Sequence, residues 1–492
     1  MTLLPEGQLY IDGKLRGTAS GAKFEDINPW TGEVVAYAAD GTAEDMEEAI
    51  AAARRAFDQS DWSTNSALRL ACVRKLADLM RANRETLIDI AIREGGSAMG
   101  ACNMANVDGP LSFFDPLFAM YDTIEWEKQL PDKAVWGSVH RRLLVKEAAG
   151  VVGAIIPWNV PLYITVGKVI PALLVGCTVI LKPAPDTPLM STYIGELAAQ
   201  AGFPAGVVQV VCGKDPALLG EMLVTDPRVD VISFTGSTGI GRRIMEKGAP
   251  TLKRLFLELG GKSASIIFED APNFAEAVGQ SIVCYHAGQG CATITRILVP
   301  QSRYAEAVMV LEHAYAAYGQ MWGKAEDPTN FMGPLISERQ RQRVLGYIEA
   351  GVKEGARLLA GGKVPTDKGN GFFVEPTCFV DVTNDMTIAQ EEIFGPVLVV
   401  IPFADEEDAI RIANDSEYGL SGGVVSGDIE RAMRVARRIR TGTVGVNGGM
   451  SIDVDLPFGG YKQSGVGKEW GLEGFEEYLE TKVIAQKLAP QA

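Results

Sequence analysis

From about residue 148 the chain repeats one pattern: a short run rich in β-branched residues, a stretch with helical spacing, then another such run. VVGAII (151–156), TVIL (178–181), VVQVV (207–211) and VDVISF (229–234) alternate with helical stretches at 161–175 and 188–201. Apolar runs separated by helices need crossover connections, and the resulting βαβ units build a parallel sheet. A second block of this kind runs from ASIIF (264–268) through TRILV (295–299), a helical stretch at 338–354, PVLVVI (396–401) and TVGV (443–446). A chain of 492 residues exceeds what one core can serve, so two α/β domains are expected, with the boundary near residue 259. Ahead of them the chain reads as helical. TAEDMEEAIAAARRAF, from Thr42, opens with a hydroxyl cap and an acidic first turn, and residues 67–80 repeat apolar side chains at helical spacing.

The net charge of −16 disfavours nucleic acid and anionic membranes, which are bound through clustered Lys and Arg. Residues 1–17 show no basic segment followed by a long apolar run, and the longest apolar stretch, 169–181, contains Pro171 and Gly176. Neither export nor membrane spanning is expected. Seven cysteines without CxxC spacing fit neither a disulfide frame nor a zinc site, and imply a reducing, cytoplasmic compartment. Three histidines leave little for a His-based triad or a metal cluster, so no metal is expected.

Three segments carry candidate chemistry. VISFTGSTGIG (231–241) is a β-rich run entering a glycine-rich turn and a helix, where backbone amides and a helix N-terminus face an anion. It does not match GxGxxG, and an ordinary strand-to-helix turn explains it equally well. Cys291 lies in HAGQGCAT, where Gly288 and Gly290 allow close approach of a ligand to the backbone; an inert buried thiol is the alternative, and is the default for the other six cysteines. Glu258 lies in the apolar segment LFLELGGKS, and a buried carboxylate is costly unless it is paired or functional. Pairing with a nearby Lys or Arg is the simpler account. Glu391 and Glu392, in QEEIFGPV, read on their own as an exposed pair.

Taken together these segments resemble the aldehyde dehydrogenase superfamily. The resemblance rests on NPWTGEVVA (28–36), PWNVPL (157–162), LKPAPDTP (181–188), FTGSTGIG (234–241), LELGGKS (257–263), GQGC (288–291), EEIFGPV (391–397) and PFGGYKQSG (457–465), in order over most of the chain. It implies an α/β fold: a Rossmann-type cofactor domain (1–126 and 149–259), an α/β catalytic domain (260–478) and a small β oligomerisation unit (127–148 and 479–492), in a homodimer or homotetramer. It further implies oxidation of a small-molecule aldehyde to the acid with NAD, with Cys291 as nucleophile, Asn159 and the Cys291 N–H holding the oxyanion, and Glu258 activating the water that hydrolyses the thioester. Lys168 and Glu469 match a proton-relaying pair, for which a structural salt bridge is nearly as good an account. The cofactor contacts implied are Ile156, Trp158, Lys182 (adenosine ribose), Gly236, Ser237 (pyrophosphate), Gly241, Glu392 (nicotinamide ribose) and Phe394.

The chain also departs from that pattern. Pro185 stands where NAD-preferring relatives often carry a Glu that repels a 2′-phosphate, so NADP use stays open. His286 stands where relatives usually have Asn, and Gly290 and Ala292 flank Cys291 in place of bulkier residues. Val160 and Gly167 fall at positions frequently aromatic, which suggests a widened tunnel and a bulky apolar or aromatic aldehyde; its other walls are expected from Tyr163, Ile164, Ile452 and Phe458. A CoA-acylating semialdehyde dehydrogenase and a non-catalytic structural homologue are the competing readings, and Glu258 speaks against the first.

Overall fold

The computed structural model describes residues 3–18, 20–319 and 321–488. The β-rich runs of the first block form the middle of an eight-stranded sheet. Its order is Gly465–Val466, Arg254–Glu258, Val231–Thr235, Val151–Ile155, Thr178–Lys182, Val208–Val210, Leu9–Ile11 and Lys14–Arg16. The five central strands are parallel and the outer ones antiparallel. Those five lack polar alternation because helices cover both faces and bury nearly every side chain. Helix Pro161–Val175 follows Val151–Ile155, starting on a proline at its first turn and stopping at Gly176 in the left-handed region. Helix Ala43–Gln59 starts from Thr42 through a reciprocal capping box with Asp45.

From Val151–Ile155 the chain steps outward to Thr178–Lys182 and Val208–Val210. It then returns to the other side, to Val231–Thr235 and Arg254–Glu258. This reversal makes the carboxyl ends of Val151–Ile155 and Val231–Thr235 a switch point, where open α/β sheets leave a crevice for ligands. The parallel register aligns Ile155 with Lys182 and with Phe234, and Thr235 with Glu258. The candidate residues at 156–159, 182, 236–237 and 258 therefore lie along one sheet edge.

Residues 259–262 cross to a seven-stranded sheet ordered Arg357–Ala360, Thr377–Val380, Val397–Phe403, Ile294–Pro300, Ser263–Ile267, Gly422–Val425 and Gly445–Val446, parallel except at the Arg357–Ala360 edge. A third, largely exposed sheet joins Glu127–Val135, Ser138–Ala148 and Leu479–Lys487. Residues 489–492 of the expected oligomerisation unit lie outside the described residues. Among the described residues no helix is long and apolar enough to cross a membrane.

Two features differ from the sequence reading. The region before Thr42 is not without strands: Leu9–Ile11 and Lys14–Arg16 extend the first sheet, and Lys23–Ile27 pairs with Val34–Ala39. More consequentially, 260–478 does not pack as one block. Val454, Phe458, Trp470, Phe475 and Tyr478 enter the core of the first sheet, and Gly465–Val466 pairs with Leu257 and Glu258. The chain thus returns to the first unit before its last strand.

Candidate active site

The crossover between the two sheets creates the site. A β-carbon on Gly261 would lie 2.5 Å from the Cys291 carbonyl oxygen, and one on Gly260 would lie 2.5 Å from a Glu392 carboxylate oxygen. Only glycines let the Cys291 loop and Glu392 approach this backbone so closely. The Gly261 N–H donates to Glu392 Oε1 at 3.0 Å. On the other side, His286, Ala287 and Gly288 form a left-handed run with φ of 46°, 52° and 72°, a strained turn for the two residues that carry a β-carbon.

Gln289, fully buried, holds that turn. Its Nε2 donates to the His286 carbonyl at 3.1 Å and the Pro334 carbonyl at 3.3 Å, and its Oε1 accepts the Ile336 N–H at 2.9 Å. Asn159 Nδ2 donates to the Gln289 carbonyl at 2.8 Å. The Asn159 amide is thereby tied to the Cys291 loop, two residues before the thiol.

Glu258 is fully buried at the end of its strand, and among the described residues neither carboxylate oxygen has a hydrogen-bond partner of ordinary geometry. Burial pushes its pKa well above the usual carboxylate range; the charge of Glu469 adds to this, and Lys168 and the Cys291 thiol oppose it. The half-buried Cys291 thiol is likewise pushed well up, first by burial and then by Glu258 and Glu392. Its surroundings therefore favour the neutral thiol over the thiolate. His286 is buried beside the loop, and burial lowers its pKa to about 4.

Lys168 and Glu469, far apart in the chain, form an ion pair of 2.6 Å at 0% and 2% side-chain exposure. Lys168 Nζ also donates to Ser233 Oγ at 3.1 Å, Tyr478 donates to the same oxygen at 3.1 Å, and the ammonium sits 4.7 Å above the Phe256 ring.

Along the sheet edge, Ser237 caps helix Thr238–Gly248 without a side-chain hydrogen bond, and is exposed. The first amides of that helix are therefore open to an anion. A β-carbon at Gly236 would lie 2.4 Å from the Phe234 ring and one at Gly241 would lie 2.6 Å from Leu259, so both must be small for the turn to close on the sheet. Lys182 is buried, its amine donating to the Pro183 carbonyl at 3.0 Å, and burial lowers its pKa to about 8. Trp158 and Phe394 meet edge to face at 5.3 Å, and Ile156 is buried beside them in chain order. Open helix amides, the Lys182 amine and the partly buried Glu392 carboxylate fit a dinucleotide. Asp186 is engaged, 3.6 Å from Arg339.

Cys291, Ala292, Val160, Tyr163 and Ile452 pack, partly buried, on the same core, with Ile164 and Phe458 buried within it. Gly167 requires a correction. The space beside it is filled: a β-carbon there would lie 2.6 Å from Trp470 Cζ2. Trp470 in turn packs edge to face with Phe113 at 5.1 Å and Tyr163 at 5.2 Å. The space expected beside Gly167 is not left open, because an indole from the return segment fills it. Gln289, Phe113, Trp470, Ser233 and Tyr478 escaped the sequence reading. Gln289 had a signal, its place inside GQGC; the others act through contacts that no local motif marks.

The sequence model of the aldehyde dehydrogenase family matches residues 16–484. The chain is 41% identical over 481 residues to the putative aldehyde dehydrogenase DhaS of Bacillus subtilis (strain 168), covering 97% of this chain and 95% of that one. It is 39% identical to the betaine aldehyde dehydrogenase of the same organism, with 98% of each covered. Among solved structures it is similar to betaine aldehyde dehydrogenase from Staphylococcus aureus in complex with NAD+, with a TM-score of 0.93, 37% identity, and 99% of this chain and 96% of that one covered. An aldehyde dehydrogenase of Mycobacterium tuberculosis complexed with NAD+ gives a TM-score of 0.92 at 41% identity, with 98% of each chain covered.

Proposed function

Because the chain belongs to the aldehyde dehydrogenase family and is an NAD(P)-dependent aldehyde dehydrogenase, we propose that it oxidises its aldehyde covalently on Cys291 and releases the acid by hydrolysis. The observation that carries this reading is the convergence of three distant segments: the Cys291 loop, the Asn159 amide tied to that loop, and the unpaired, buried Glu258.

Glu258, as carboxylate, accepts the Cys291 proton, and the thiolate attacks the aldehyde carbon. The oxyanion that forms is held by the free Asn159 N–H and the Cys291 backbone N–H, donors that need no reorganisation when charge appears. Bound NAD(P)+ supplies the hydride acceptor. The oxyanion's electrons re-form the carbonyl, leaving a thioester on Cys291. Glu258 then takes a proton from water, the hydroxide attacks the thioester, and the Cys291 sulfur leaves. Lys168 and Glu469 carry the proton away from Glu258 through their buried contact. Residues 1–126 and 149–259 hold the cofactor, with Ser237 and the adjoining amides on its phosphates and Lys182 and Glu392 on its riboses. Pro185 leaves the 2′-position without a repelling carboxylate, and Asp186 is drawn toward Arg339, so NAD is favoured without NADP being shut out. The exposed sheet of 127–148 and 479–488, with Val139, Val483 and Ile484 on its surface, joins copies into a homodimer or homotetramer in the cytoplasm.

For the substrate, Phe113, Tyr163 and Trp470 make an apolar wall narrower than Gly167 suggested, and Val160 alone favours extra width. Relatives are named for betaine aldehyde, so the assay compares betaine aldehyde, its uncharged isostere 3,3-dimethylbutanal, acetaldehyde and benzaldehyde, each with NAD+ and NADP+. The covalent reading is tested by Cys291→Ala, expected to abolish turnover while cofactor binding persists. Substantial turnover in this variant would rule it out.

A further inference from the structure

The contact between Gly167 and Trp470 joins two residues that are separately costly. Helix Pro161–Val175 carries a glycine in its interior, which weakens a helix by about 0.5–1 kcal/mol relative to alanine. Trp470 has φ of +62° and ψ of 176°, a region that belongs to glycine and that a bulky residue occupies only when its surroundings compel it. Its indole N–H is buried, with no acceptor of ordinary geometry among the described residues. Each cost is explained by the other residue. Removing the side chain at 167 opens a slot in the helix, and the strained backbone at 470 aims a ring into that slot, with Cζ2, Cη2 and Cε2 at 2.6, 2.9 and 3.1 Å from the missing β-carbon.

The ring does more than fill volume. It backs both Phe113 and Tyr163, which also meet each other edge to face at 5.2 Å. Tyr163 lies one helical turn before Gly167 and is close enough to the reacting thiol that charge on Cys291 raises its pKa, after burial and Glu469. Trp470 is also the neighbour of Glu469 in the chain. We propose that Trp470 is the positioning residue that sets the shape of the acyl pocket, a wall delivered from the return segment into the place left by Gly167, so that selectivity for aldehyde shape is governed from position 470. The inference rests on the reading of Cys291 as nucleophile.

The test measures kcat and KM for acetaldehyde, 3,3-dimethylbutanal and benzaldehyde with NAD+ in the full chain and four variants: Trp470→Gly, Trp470→Phe, Gly167→Trp, and the exchange Gly167→Trp with Trp470→Gly. Glycine suits the backbone at 470, so Trp470→Gly removes the ring while relieving strain. It is expected to raise kcat/KM for the two bulky aldehydes relative to acetaldehyde by about tenfold or more, chiefly through KM, as pocket changes of this size do. Trp470→Phe should shift the ratio less, and it serves as the reading if Trp470→Gly is insoluble. Gly167→Trp alone should lower Tm sharply. In the exchange variant the ring returns from the helix side, and both Tm and the substrate ratio should move back toward wild type. Equal changes for all three aldehydes, or an exchange variant no better than the sum of its parts, would overturn the proposal. Cys291→Ala, assayed alongside, separates the two readings: if it still turns over, the nucleophile is wrong; if it is dead while the ratios stay put, only the role of Trp470 fails.

Discussion

Two buried carboxylates share the core of the first unit, and they are held in opposite ways. Glu469, on the return segment, meets Lys168 at 2.6 Å, and Ser233 and Tyr478 complete the ammonium's surroundings. Neither carboxylate has a hydrogen-bond partner of ordinary geometry among the described residues, and what sets Glu258 apart, at the end of a central strand, is that no described cation pairs with it; the Cys291 thiol feels its charge. Burial alone does not distinguish the two, since both are almost fully excluded from water. The difference lies in compensation. A carboxylate against a cation is fixed in place, whereas an unpaired one is left with a raised pKa, which suits it to take up a proton first.

The largest expected effect of breaking this contrast is on turnover. Glu258→Gln keeps the shape of the side chain and removes its proton chemistry, so steady-state kcat should fall by about 10²–10⁴-fold. Hydride leaves before the thioester needs water, so one equivalent of reduced cofactor per site should still form, and intact mass should show an acyl group on Cys291. A slowed burst is compatible, because in the proposed scheme Glu258 also deprotonates the thiol. Turnover near the wild-type rate would show that another group activates water, and restoration of turnover by added CoA would favour the acylating reading.

Next comes the anchored carboxylate. Lys168→Met leaves Glu469 buried without its cation and should cost about 3–5 kcal/mol, the usual penalty for removing one partner of a buried pair. The double variant Lys168→Met with Glu469→Leu should recover most of that loss, because two apolar groups replace a desolvated pair. Denaturant unfolding of the three proteins measures it. A small loss in Lys168→Met would mean that Glu469 takes up a proton or finds water, and the distinction from Glu258 would lose its footing.

Much of this arrangement was legible in the sequence, and for physical reasons. Strands covered by helices on both faces must be apolar throughout, so 151–155, 178–182 and 231–235 announced themselves as short unbroken runs. Glu258 stood out because an apolar segment has no use for a charge, and Cys291 because glycines surround it. The paired edge strands Leu9–Ile11 and Lys14–Arg16 did not stand out; three residues are too few to show a period. The return of Val454 and Trp470 into the first core was hidden as well, since pairing across about 200 residues of chain leaves no local mark. Gly167 shows the limit most clearly. A missing side chain reads as empty space, yet the volume at one position is shared with whatever the fold brings beside it, here an indole from the far end of the chain.

The smallest and most discriminating effect is on pH dependence. If Glu258 is the base, as proposed, it works only when ionised, so the acid limb of kcat should lie well above the usual carboxylate range, where burial and the charge of Glu469 hold its pKa. Glu469→Gln removes one of the causes that raise it, and the limb should move to lower pH. Lys168→Met removes the opposing cation, and in protein that remains folded the limb should move to higher pH. Stability follows the same sign. A carboxyl whose pKa is raised by folding binds more protons in the folded state than in the unfolded one, so its contribution is fully present below the unfolded pKa and is lost as pH rises through the folded value. Glu258→Gln removes that loss. Compared with wild type, the variant should therefore be more resistant to denaturant at neutral and mildly alkaline pH, with the gap closing as pH falls below the unfolded carboxyl range. An inactive variant that is also the more stable one would show that the cost of burying this carboxylate is carried for chemistry. Equal stability of the two proteins across the whole range would mean that Glu258 is compensated after all, and would return it to the class of Glu469.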